Sequence, residues 1–291
     1  MLAGHLRRLV LEKDMKFSVD NFEDAPFENY DLDLRQKEVD GGKISIEQID
    51  SIKNFPNAKS VVISGLQDDT LAYFVEHYAS QFEVISFWKN KRLTNLDALE
   101  KLQSVEFLIF FYNTKVQKLW NMEKNKRLKG LCIYNFSKLH NIDGIEKCKS
   151  LKYFAFGCEA GNSDKNIYLE SFKKLKETHI EYFGWWASLL DGDYKVLSET
   201  SIKTLDLNPH KFTLEELADF LASFPDSLKG KATLPYTVGS IMDNGSESLY
   251  IFPCKGIKTF VKGKDDERFK KYLEKFNQML SDKRRKMKCR I

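Results

Sequence analysis

Four segments of the chain share the frame apolar-x-x-apolar-x-apolar: Phe82, Ile85 and Phe87; Val105, Leu108 and Phe110; Leu128, Leu131 and Ile133; Leu151, Phe154 and Phe156. Each set lies 23 residues after the last, for three consecutive steps. A unit of that size has no core of its own, so a fixed period of this length means that neighbouring units bury one another's apolar faces. The register loosens outward. Ala58, Val61 and Ile63 precede the series by 24 residues; Leu175, Thr178 and Ile180 follow it by 24; Ile202, Leu205 and Leu207 come 27 later. About seven turns are counted over residues 45–226, with irregular outer turns as capping repeats have. Between the frames, Leu93, Leu96, Leu99 and Leu102, and later Leu139, Ile142 and Ile145, recur every three residues. That spacing predicts a short helix or 3-10 turn behind each strand.

The segments "FEVISFWKN" from Phe82 and "VEFLIFFYN" from Val105 follow L-x-x-L-x-L-x-x-N and resemble leucine-rich repeats, in particular the short repeats of bacterial internalin-like proteins. The resemblance implies an α/β solenoid: a curved parallel β-sheet, with short helices or 3-10 turns on the convex side. It also implies a non-catalytic protein-binding module, because proteins of that family bind partners on the concave sheet. Asn90 and Asn113 occupy the family's asparagine, whose amide ties adjacent turns together. Phe136, Glu159, Phe183 and His210 stand there in later repeats, and a phenylalanine would exchange hydrogen bonds for apolar contact.

Strand side chains alternate between faces. The fourth and sixth residues of each frame therefore point into the core, and the third, fifth, seventh and eighth line the concave side. Trp88, Phe107, Ile109, Phe111, Tyr112, Tyr134 and Tyr153 form an apolar half on this reading. Glu177, His179, Glu181, Tyr182 and Asp206 form an acidic half. Together they are the candidate partner-binding residues. Either another part of the same chain covers the apolar half, or a polypeptide partner docks on it, since contiguous apolar patches seldom stay open to water. Self-association through the same patch is a third expectation. The acidic half reads as a solvated patch in preference to a metal site, and no metal or cofactor is expected.

The rival class is an enzyme or metal-dependent protein using Cys132, Cys158, His179 and Glu177. No phosphate-binding glycine loop, dinucleotide fingerprint or serine-nucleophile motif appears, so a non-enzyme is expected. Five cysteines at 132, 148, 158, 254 and 289 are an odd number without C-x-x-C pairs. They argue for free thiols in a cytoplasmic protein. The opening "MLAGHLRRLVLEKD" lacks the apolar run of a secretory signal, and no stretch reaches the roughly 18 apolar residues of a membrane span.

The ends differ from the middle. Residues 1–14 read as a flexible extension and 15–44 as an N-terminal cap, with Phe17, Phe22, Phe27 and Tyr30 scattered among acids. Met15 to Lys43 holds eight acidic against four basic residues, and Lys255 to Ile291 fourteen basic against five acidic. Residues 227–291 alternate around the turn signals "DNGS" and "PCKG" and then place Phe269, Tyr272, Leu273, Phe276 and Leu280 on one helical face. This pattern predicts a small β-β-β-α capping unit. Its basic end, Lys283, Arg284, Arg285, Lys286, Lys288 and Arg290, reads as a solvated tail. Phosphate attraction without base-reading elements would be non-specific, so no specific nucleic-acid partner is expected.

Overall fold

The computed structural model describes residues 30–38, 40–158, 165–243 and 246–288. The N-terminal extension, Phe17, Phe22 and Phe27 of the cap, Glu159 and Cys289 lie outside the described residues. An eight-stranded parallel sheet with few helices dominates an α/β architecture. Its strands are β1 (Leu32–Leu34), β2 (Ser60–Ile63), β3 (Val84–Trp88), β4 (Phe107–Asn113), β5 (Gly130–Phe136), β6 (Tyr153–Gly157), β8 (Tyr182–Trp186) and β10 (Thr204–Leu207), adjacent in that order. Two short pieces, β7 (Tyr168–Leu169) and β9 (Ser188–Leu189), pair separately beside it. Residues 32–34, expected within a cap, are the sheet's first strand.

Register follows the repeat. Ile85, Leu108, Leu131, Phe154, Phe183 and Leu205 form one in-register row; Phe87, Phe110, Ile133, Phe156, Trp185 and Leu207 form a second. Both rows face the main core. The returning chain makes 3-10 turns at 97–101, 122–124, 145–147, 173–177 and 194–199, which lie against one another in sequence order. Each buries an apolar residue into the same core: Leu99, Met122, Ile145, Leu175 and Leu197. Two α-helices, the short α1 (Ile46–Asp50) and the longer α2 (Asp68–His77), occupy this layer at its start.

One register expectation fails. The frame Leu175, Thr178, Ile180 does not carry a strand; Leu175 belongs to a 3-10 turn, and the strand frame is Ile180, Phe183 and Trp185. The step from Leu151 to Ile180 holds extra chain, including β7. A leucine of a returning 3-10 turn then falls at the spacing expected of a strand leucine, and the pattern cannot tell the two apart.

A recurring left-handed residue ends each early strand. Gly65, Lys89, Tyr112 and Asn135 have φ of 77°, 47°, 66° and 54° and stand 24, 23 and 23 residues apart. This conformation interrupts the alternation, so Phe111 and Tyr112 both lie on the outer side while Asn113 turns inward. Buried Asn113 donates from Nδ2 to the carbonyls of Asn90 (2.8 Å) and Leu93 (3.0 Å) and accepts from the amides of Lys115 and Val116. Asn90 likewise accepts from Leu66 N–H and donates to the Ile63 carbonyl. At the same place in the next repeat, Phe136 makes an edge contact with Phe110 at 5.7 Å.

The far edge of the sheet is closed by the chain itself. Lys229 bridges to Thr204, and its carbonyl accepts Leu205 N–H at 2.8 Å. Gly230 (φ 104°) lies so close that a Cβ would sit 2.3 Å from the Leu205 carbonyl oxygen, so only glycine fits. Beyond α3 (Leu214–Ala222), capped reciprocally by Thr213 and Glu216, come three antiparallel strands, β11 (Tyr236–Asp243), β12 (Ser246–Pro253) and β13 (Phe260–Val261), and a 23-residue helix α4 (Asp266–Lys288). Part of the basic cluster is not a solvated tail. Lys283 pairs with Asp219 (3.0 Å) and Glu215 (3.2 Å), and Arg284 with Asp226 (2.8 Å), which clamps α4 to the end of the large sheet's layer.

Candidate functional site

The sheet's outer face carries a second apolar cluster, separate from the main core. Its rows are Val84, Phe107, Gly130, Tyr153, Tyr182 and Thr204; Ser86, Ile109, Cys132, Ala155, Gly184 and Asp206; and Trp88, Phe111, Tyr134, Gly157 and Trp186. Parallel strands stand about 4.8 Å apart, so equivalent rings in successive repeats stack. Trp88 and Phe111 do so at 4.1 Å between centroids and 14° between planes. Lys89 lies over the Trp88 ring and Lys91 over Tyr112, at 5.6 and 4.7 Å.

The sequence-predicted apolar residues therefore do assemble, but not as an open surface. Phe107 is 2% exposed, Tyr134 3%, and Ile109 and Phe111 6% each. Trp88, Tyr112 and Tyr153 are half-buried, as is Trp186, which the mistaken register hid. The signal that would have found Trp186 is the apolar run "EYFGWW", whose Phe183 and Trp185 complete the core rows.

The acidic half does not form. Glu177 ends a 3-10 turn and pairs with Lys174, and His179 lies exposed in the segment before β8. Both are off the sheet face, for the register reason given above. Glu181, just ahead of β8, is held by Lys152 and Lys203 at 2.9 Å each, and these two ammonium groups lower its pKa. Tyr182 donates to Asp206 at 3.0 Å, and Asp206 also accepts Lys231 N–H at 2.8 Å. Both are buried, and burial with the nearby Asp206 carboxylate raises the Tyr182 pKa. An open cleft of about 350 Å³ beside them is lined by Tyr153, Glu181, Tyr182, Lys203, Thr204, Ser227 and Lys229.

Cys132, Cys158, His179 and Glu177 are not brought together. Cys132 is fully buried in the middle row, Cys158 follows β6 and its amide donates to the Trp186 carbonyl, and His179 precedes β8 at the strands' opposite end. The length of β8 alone separates the last two by roughly 13 Å. Among the described residues, no group of three or more His, Cys, Asp or Glu is placed to hold a metal ion. No described helix is long and apolar enough to cross a membrane.

One group missed by sequence reasoning stands past the C-terminal end of β8, beside the core-facing Trp185. Lys211, in the 3-10 turn Pro209–Lys211, donates to the Ala187 carbonyl and lies 5.8 Å from the Trp185 ring centroid. Burial lowers its pKa from 10.5 to about 8. Between those values the unfolded chain holds the extra proton, so stability should rise as pH increases from 8 towards 10. The full gain is roughly 3 kcal/mol, at about 1.4 kcal/mol for each pH unit between the two values. Denaturant titrations of the native chain and of Lys211→Met at pH 7.5 and 9.5 check this, with the rise expected to vanish in the variant.

No protein-family model matches the chain, and no curated protein matches its sequence.

Proposed function

We propose that the chain is a leucine-rich-repeat solenoid that acts as a non-catalytic polypeptide-binding module, with the outer sheet face as its recognition surface. The observation that carries this reading is the set of aligned aromatic rows, Trp88–Phe111–Tyr134 and Phe107–Tyr153–Tyr182, on the face opposite the main core. Repeats, 3-10 returns and the asparagine bonds of Asn90 and Asn113 support the solenoid. A rigid sheet loses little freedom when it binds, so preformed aromatic anchors contribute most of their contact energy to association. The half-buried Trp88, Tyr112, Tyr153 and Trp186 are the groups a polypeptide meets first. Fully buried Phe107, Phe111 and Cys132 form the platform beneath.

Affinity capture from the native source with the full chain tests this reading against Tyr112→Asp/Tyr153→Asp. Aspartate tolerates the left-handed backbone at 112, so stability should stay within about 1 kcal/mol. Recovery of the partner polypeptide should fall at least tenfold, the effect of losing roughly 1.4 kcal/mol or more at an aromatic anchor. Equal recovery by both proteins, or none by the native chain, rejects the reading. Self-association would register in the same experiment as capture of the chain itself.

A further inference from the structure

A sheet screens only one side of each strand. Neighbouring rings can shield the flanks of an aromatic side chain on the other side, but not its outer edge. Yet on the outer face Phe107 is 2% exposed, Tyr134 3%, and Cys132 and Ala155 0%. Burial of that degree across three adjacent strands needs a second layer. Among the described residues, only Tyr30 enters this cluster from outside the sheet and its strand-end turns. Tyr30 is also the first described residue, two before β1, and it packs on this side of the sheet.

We propose that the resident occupant of the outer face is the chain's own N-terminal segment, residues 1–29, seated through Phe17, Phe22 and Phe27. This deepens the binding reading of the same face, and it requires no foreign partner.

Composition selects this segment. The other residues outside the described ones are Val39, Glu-Ala-Gly-Asn-Ser-Asp (159–164), Asn-Gly (244–245) and Cys-Arg-Ile (289–291). None holds an aromatic residue, whereas the N-terminal segment holds three phenylalanines at five-residue intervals. Reach is sufficient. From β1 to β6 there are five inter-strand steps, roughly 24 Å, against about 95 Å for 29 extended residues. Charge agrees as well: residues 15–29 hold four acids and one base, and Lys89 stands over the Trp88 ring at the near rim, while Lys91 beside it is paired with Asp40. A foreign polypeptide able to compete would share that chemistry, being acidic with spaced phenylalanines.

The test uses the full chain with p-benzoylphenylalanine in place of Phe22. Irradiation should give intrachain crosslinks to peptides spanning 107–113 or 130–136 in protein that remains monomeric. Adducts elsewhere on the chain, or only between two copies, overturn the proposal. A second measurement follows alkylation of Cys132 in Phe17→Ser/Phe22→Ser/Phe27→Ser, with core Cys148 and Cys254 as internal controls for intact folding. Cys132 should react at least tenfold faster while the controls stay protected, and an unchanged Cys132 rate overturns the proposal. If the controls also react, the variant has unfolded and the crosslink decides. These outcomes are independent of partner capture, so failure of the cis occupant and failure of the partner reading are told apart.

Discussion

Replacing Phe110 with alanine is expected to lower the unfolding free energy by about 3–5 kcal/mol, the range for deleting a fully buried ring from a close-packed interior. Phe110 is 1% exposed and central to an aromatic group: Phe87 stacks on it at 4.8 Å and 16°, Phe136 meets it edge-on at 5.7 Å, and Trp120 lies at 6.0 Å. Those partners belong to three successive repeats, so no single turn can collapse into the space without shifting its neighbours. Urea denaturation measures the loss directly, and a change in slope as well as midpoint would mean that the repeats no longer unfold together. Phe111→Ala is the informative companion. On an open sheet face it would cost little; with Phe111 6% exposed and stacked on Trp88, a loss of roughly 2–3 kcal/mol is expected. For the same reason, charged substitutions at Phe111 and Tyr134, harmless on a solvated face, are expected to destabilise the chain.

Asn113→Leu is expected to cost about 3–5 kcal/mol, although leucine is apolar and of similar size. The amide satisfies two carbonyls of the preceding turn and two amides of its own. Its removal leaves these groups buried without partners, at about 1–3 kcal/mol for each that water cannot reach. Thermal unfolding should fall by roughly 10 °C. Asn113→Asp separates hydrogen bonding from size: the carboxylate keeps the acceptors but loses the donors, so it should recover only part of the stability. Phe136 marks the contrast, since its site in the next repeat is filled by a ring against Phe110. The asparagine is required only where a turn presents carbonyls to it.

Much of this was legible before any coordinates. The 23-residue period identified the core rows from β2 to β6 and the leucines of the returning turns, because a repeat that must bury one face leaves that face in the sequence. Alternation placed Phe107, Ile109, Phe111 and Tyr134 on the opposite side correctly. It failed at Glu177 and His179, where extra chain between Leu151 and Ile180 broke the period and Leu175 offered a false continuation. It also missed the left-handed residues at 89, 112 and 135, since lysine and tyrosine carry no local signal for that backbone.

By itself, the sequence determined which segments repeat and, from β2 to β6, which strand residues share a face, because these follow from local apolar spacing and from the two-residue strand period. Only the tertiary structure decided whether each face meets solvent. Exposure depends on what arrives from distant parts of the chain: it turned the expected acidic half into Glu181 held by two lysines and a buried Tyr182–Asp206 pair, tied Lys283 and Arg284 to carboxylates some 60 residues away, and closed the aromatic rows to water. No periodicity encodes such long-range contact, because its partners are set by the path of the chain and not by the spacing of neighbours.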